Sequence, residues 1–299
     1  VNLCALRAFV VQDFAFSRLE STMRLFIILL LLVSQSLATE LKATTKKAFA
    51  HYTQVAELRM HSEIASATKE NKPFLWIDTL DPPRKQPILE QLKRGEVVAE
   101  SLQEKENGAT IDVPSALVHH WIGSVFIPGG SVASTLAVLQ DYNHHKDLYK
   151  PQVADSRLIS RNGNDFKAFL RFYQKKVVAV TMNTEHEAHY ESLPGGHPRA
   201  FSISHTTRVA EVENAGTKDE REKPVGNDSG YLWALNSYFR VEEKDGGVYL
   251  QCEAISLTRD IPTGLGWMFR PYITQVPRES LFTTLNQTRV GLLQRTAKK

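Results

Sequence analysis

The stretch YLWALNSYFRVEEKDGGVYLQCEAISLT, residues 231–258, decides the fold. Two alternating runs, Tyr231–Glu243 and Val248–Thr258, flank Lys244-Asp245-Gly246-Gly247. Asp-Gly between such runs marks a hairpin, because a type I′ turn needs positive φ at both central residues. With Asp245-Gly246 as the turn, Val241 faces Leu250, Phe239 faces Cys252, Ser237 faces Ala254, Leu235 faces Ser256 and Trp233 faces Thr258. One face is then apolar and small. The other collects Tyr238, Arg240, Glu242, Gln251 and Glu253, with Arg240 diagonal to Glu253 and in reach of a cross-strand ion pair. A one-residue slip would mix the two faces, so the pattern supports this register. Ser237, Cys252, Ala254 and Ser256 cover their face thinly, which leaves room beneath a helix packed on it.

The spacing predicts that helix over Pro277–Arg295. Leu281, Leu285, Thr288 and Leu292 form its stripe, with Phe282 and Leu293 at the margin. Pro277 suits the first turn, where a missing N–H costs nothing.

Working upstream, Arg199–Val212, Val177–Met182 running on towards Tyr190, Phe166–Tyr173 and Asp155–Ser160 read as strands. Turns fall at Asn162-Gly163-Asn164 and Leu193-Pro194-Gly195-Gly196. Asn214–Gly230 is a long polar connection, read as a mobile segment or a flap. Ser131–Gln140 reads as a short helix capped by Ser131. His144-His145 follow in a connection and are expected to face solvent. Glu96–Leu102 and Ala109–Ile127 are further strands, the second with apolar residues on both faces. Thr39 to about Lys72 is helical, as is Pro87–Arg94. This N-terminal part forms either a helical subdomain or a brace on the main domain; the spacing leaves both open.

The chain has 299 residues, 42% hydrophobic and 23% charged, enough for one large domain or two small ones. A net charge of +3 from 36 basic and 33 acidic residues gives no electrostatic case for nucleic acid. Met23-Arg24, the apolar run Leu25–Val33 and the small residues Ser36 and Ala38 read as a secretory signal peptide cut after Ala38. That places the protein in the periplasm or envelope. Residues 1–22 are assigned no structural role. Cys4 lies in the discarded segment, so Cys252 is the mature chain's only thiol and reads as a small buried hydrophobe.

Several phrases, taken in this order, resemble the START-like superfamily, also called the helix-grip or SRPBCC fold. They are Ile127-Pro128-Gly129 leading into Leu136–Tyr142, Tyr149-Lys150-Pro151, Asp155-Ser156-Arg157-Leu158 and Trp233–Arg240. Leu257–Pro262 and Pro277–Leu281 complete them. The likeness covers about Ala116 to Leu293 and is closest to uncharacterised exported bacterial members. It implies an α+β fold in which a curved antiparallel sheet grips a long C-terminal helix. The expected organisation is a leader over 1–38, a helical extension over 39–95 and a START-like domain over 96–295. It also implies a cavity for a lipid or other apolar molecule, with some superfamily members working as cyclases or hydrolases. The hairpin register turns Trp233, Leu235, Ser237, Phe239, Cys252, Ala254 and Ser256 towards that cavity, with Leu285 facing them from the helix.

Gly264-Leu265-Gly266-Trp267-Met268-Phe269 reads as an apolar loop between sheet and helix. Trp267, Met268 and Phe269 either gate the cavity mouth and touch a membrane transiently, or pack under the helix end. Other candidates are weaker. His119 and His120 adjoin on a strand, so only one can join a given site. Glu185, Glu187 and His189 share a strand face but lack zinc-site spacing, and read as solvated. No catalytic residue, metal or cofactor is expected. The leading function is an exported binding protein for a lipid or similar molecule. A cavity enzyme of the cyclase, dehydratase or hydrolase kind, and an envelope interaction module, are the alternatives.

Overall fold

The computed structural model describes residues 39–68, 72–175, 179–260 and 266–296, with only the backbone of 266–274. The expected leader and signal peptide lie outside these residues. Residues 39–299 form one unit, so the N-terminal helices and the sheet share a body.

Strand β1 (Thr39–Glu40) leads into α1 (Ala43–Ala67), and a 3-10 turn at Trp76–Thr79 into α2 (Pro82–Lys93). Strands β2 (Val98–Ser101), β3 (Lys105–Glu106), β4 (Ala109–Thr110) and β5 (Ala116–Pro128) follow. Next come α3 (Val132–Leu139), a 3-10 turn at Tyr142–His144 and α4 (His145–Leu148). The chain then runs through β6 (Val153–Asn162), β7 (Asp165–Lys175), β8 (Ala179–Leu193) and β9 (Arg199–Glu213). After β10 (Arg221–Glu222) and β11 (Asn227–Asp228) come the hairpin β12 (Ala234–Lys244) and β13 (Gly247–Arg259), and last α5 (Gly266–Thr296).

The main sheet is antiparallel and open, in the order β2-β5-β13-β12-β9-β8-β7-β6. The hairpin register is the expected one, with Val241 opposite Leu250, Phe239 opposite Cys252 and Ser237 opposite Ala254. Asp245 and Gly246 have φ of 56° and 75°, which the turn requires. Helix α5 lies on the inner face. Its Leu281, Leu285 and Leu292 join Val125, Val241, Leu250 and Cys252 in one core. Each fully buried leucine of this kind contributes about 1.5–3 kcal/mol. Gly123, opposite Cys252, lets the helix come close, since a Cβ there would stand 3.0 Å from Leu285 Cδ1.

The outer face is covered as well. Phe49, Tyr52, Ala56 and Met60 of α1 pack on Tyr238, Ile255 and Leu257. Ala67, Phe74, Leu75, Ile77 and Leu92 pack on Phe126, Phe201 and Tyr249. The N-terminal helices are therefore a brace, built onto the back of the sheet.

Several expectations are corrected. Helix α5 begins at Gly266, well before Pro277. Trp267, Met268 and Phe269 belong to its first turns and not to a loop; Gly264 and Leu265 lie outside the described residues. The strand expected over 109–127 is two pieces, because Asp112–Ser115 turns, with φ of 60° at Ser115. The connection 214–230 is stitched to the sheet. Its Arg221 and Glu222 pair with β9, and the Glu211 carboxylate accepts from Ser229 N–H at 2.7 Å and from Lys223 Nζ at 2.7 Å.

Candidate ligand-binding site

On the inner face the rows run across neighbouring strands. Trp121, Ala254, Ser237 and Ser204 stand side by side, and Gly123, Cys252, Phe239 and Ser202 form the next row. Near the hairpin turn, Leu250 and Val241 are sealed under α5. Further along, Trp121, Ser237, Phe239 and Ala254 are only half-buried, although both chain neighbours of each are buried. Leu235 is also half-buried, and Ser256 and Cys252 are buried.

Trp233 does not join this face. It packs with Phe49, Tyr52 and Met60 against the brace, and its indole N–H donates to Asp228 at 3.0 Å. The strand begins only at Ala234, so strict alternation fails one residue earlier.

The inner polar groups mostly satisfy one another. His119 Nε2 lies 3.0 Å from Thr258 Oγ1, and Tyr142 Oη 2.8 Å from Tyr190 Oη. Tyr149 Oη donates to Thr288 Oγ1 at 2.9 Å, since the Thr288 hydroxyl donates to its own helix at Thr284. His186 pairs with Thr184 Oγ1 at 2.9 Å. Burial holds His119, His145 and His186 near a pKa of about 4, and the neighbouring His145 adds to the effect on His186. Burial also pushes the Cys252 thiol far up, which keeps it unreactive. His145 is a correction: it sits inside between Tyr142 and Tyr149, while His144 is exposed beside Asp141. Glu187 and His189 are on the solvated side, paired with Lys167 and Asp165.

The outer face carries a buried ionic cluster that the sequence reading missed. His120 Nε2 lies 2.6 Å from Glu253 Oε1, and its Nδ1 3.0 Å from Tyr52 Oη. Arg59 of α1 donates to Glu104 Oε1 at 2.8 Å and to Glu253 Oε1 at 2.5 Å. Arg240 turns away from Glu253; it bonds Glu63 at 2.6 Å and the Phe74 carbonyl at 3.0 Å. Burial raises the pKa of Glu253, but His120 and Arg59 outweigh it and hold the carboxyl below its usual range. Beside this cluster opens a cleft of about 310 Å³, lined by Arg59, Glu63, Trp76, Leu102, Glu104 and Gln251 among others. Glu104, His120 and Glu253 bring one ligand-capable atom each to within 4.8 Å of the others.

No family model and no curated protein matches this sequence. Solved structures do resemble it. A STAR-related lipid transfer protein from Xanthomonas axonopodis is 17% identical, with 64% of this chain and 98% of that one covered and a TM-score of 0.40. Human STARD10 is 9% identical over 74% of this chain and 84% of its own, with a TM-score of 0.40. The Zhui aromatase/cyclase from Streptomyces sp. R1128 is 10% identical over 60% and 96%, with a TM-score of 0.39. These are likenesses of architecture at low identity. With its open antiparallel sheet, its C-terminal helix across the inner face and two short helices between β5 and β6, the chain has a helix-grip α+β fold.

Proposed function

We propose that this protein is an exported binding protein for a lipid or other apolar small molecule, held between the inner face of the sheet and α5. One observation carries the reading. In the middle of the sheet the inner-facing Trp121, Ser237, Phe239 and Ala254 keep partial exposure, while the outer-facing residues between them are buried. A sheet whose mid-strand inner face is less filled than its back has the form of a binding hollow. The walls are apolar, and Ser237 and Ser204 stand opposite each other as polar anchors for a ligand's head.

Export rests on the basic, apolar and small-residue succession from Met23 to Ala38. Among the described residues no helix is long and apolar enough to cross a membrane.

Native mass spectrometry of protein purified from its own host tests the proposal. A co-purifying apolar compound, released by organic solvent and rebinding one to one, is expected. An empty protein that takes up no extracted lipid would overturn it.

A further inference from the structure

The ionic cluster on the outer face contains more than a brace needs. Tyr52 Oη accepts the Glu104 backbone N–H at 3.0 Å and lies 3.0 Å from His120 Nδ1. His120 Nε2 donates to Glu253. Three carboxylates, Glu63, Glu104 and Glu253, face two guanidiniums, Arg59 and Arg240. Among the described residues, every hydrogen bond to Glu104 and Glu253 side chains falls on Oε1. Neither Oε2 accepts from a described protein donor, which leaves both oxygens to turn to a further cation.

We propose that Glu104, His120 and Glu253 form a binding site for one divalent transition-metal ion of the Zn²⁺ or Mn²⁺ type, entered from the cleft. Imidazole with two carboxylates suits such ions. Ligand atoms around zinc sit roughly 3 Å apart, so the observed grouping within 4.8 Å closes with side-chain rotation alone. Arg59 is the resident cation that the metal displaces. It lines the cleft and already bonds Glu63 Oε1 at 3.2 Å, one helical turn on, which gives it a place to go. With Nε2 of His120 on the ion, Nδ1–H donates to Tyr52 Oη, which orients the ring as outer partners of metal-bound histidines do. The site is on the opposite side of the sheet from the inner hollow and does not depend on what that hollow binds.

The test is isothermal titration of ZnCl₂ and MnCl₂ into the chelator-treated protein. Saturable one-to-one binding is expected. Tyr52→Phe should weaken it roughly 10- to 100-fold, and Glu104→Gln or Glu253→Gln at least as much. Arg59→Ala removes the competing charge and should tighten binding roughly tenfold, with the metal raising the melting temperature of this variant more than that of the parent. A purely structural ion pair predicts the reverse for Arg59→Ala. No saturable binding in either the parent or Arg59→Ala overturns the site. So does binding that Glu104→Gln and Glu253→Gln leave intact, which would place the ion on surface histidines.

Discussion

His119 and His120 are neighbours in the chain and belong to opposite sides of the protein. His119 sits over the inner face, 3.0 Å from Thr258 Oγ1, and His120 reaches Glu253 at 2.6 Å beneath α1. Between them runs a sheet with helices packed on both faces. Its inner face meets the C-terminal helix through leucines, and its outer face meets the brace through a mixture of aromatic rings and charges.

The outer cluster should therefore hold the brace in place. Glu253→Ala leaves Arg59 and His120 without their shared partner and is expected to lower stability by about 3–5 kcal/mol. Glu187→Ala, on the solvated face beside Lys167, should change it by no more than about 0.5 kcal/mol. Denaturant unfolding of the two variants checks the contrast. Equal, small effects would mean that the cluster contributes nothing to the brace.

Stability should fall on acidification before the carboxylates titrate. His119, His145 and His186 are held near a pKa of about 4 in the fold, against about 6.5 in the unfolded chain. Between those values the unfolded chain binds protons that the fold refuses. Stability is thus complete above about pH 6.5 and is lost as pH falls towards 4, by up to about 1.4 kcal/mol per pH unit for each histidine. Unfolding curves from pH 7 to 4.5 measure the slope. His186→Gln should flatten it by about one histidine's share, and an unchanged slope would show that His186 is not held neutral.

Helix α5 is seated by Leu285, fully buried against the sheet at Gly123. Leu285→Ala should cost about 2–5 kcal/mol through lost burial and the cavity left behind. Gly123→Ala brings a methyl to 3.0 Å from both Leu285 and the Val98 carbonyl, and should destabilise by about 1–3 kcal/mol. Thermal melts compare the two. Parent-like melting of both would remove α5 from the core.

What could be read from the sequence was what local chemistry decides. The Asp245-Gly246 turn and the alternation beside it set the register residue by residue. The Ser131 cap of α3 was equally local, its hydroxyl accepting the Ser134 N–H at 3.1 Å. The outer face was not legible, because Arg240 and Glu253 find their partners 177 and 194 residues away. A charged strand face looks the same whether water or a distant helix covers it. A hint was present in α1, where Tyr52, Arg59 and Glu63 follow at helical spacing. His145 was misplaced because one step around a short helical turn carries a side chain from solvent to interior. Trp233 was misplaced by continuing strand alternation past the strand's end.

The most direct test of the inner hollow is titration with a fluorescent fatty-acid probe, comparing the parent with Ala254→Trp and His120→Gln. Ala254 stands mid-sheet between Trp121 and Ser237, so an indole there fills the space, while His120 is on the far side. One-to-one binding in the parent, lost in Ala254→Trp and kept in His120→Gln, is the predicted result. Binding that survives Ala254→Trp, or that fails only in His120→Gln, would contradict it.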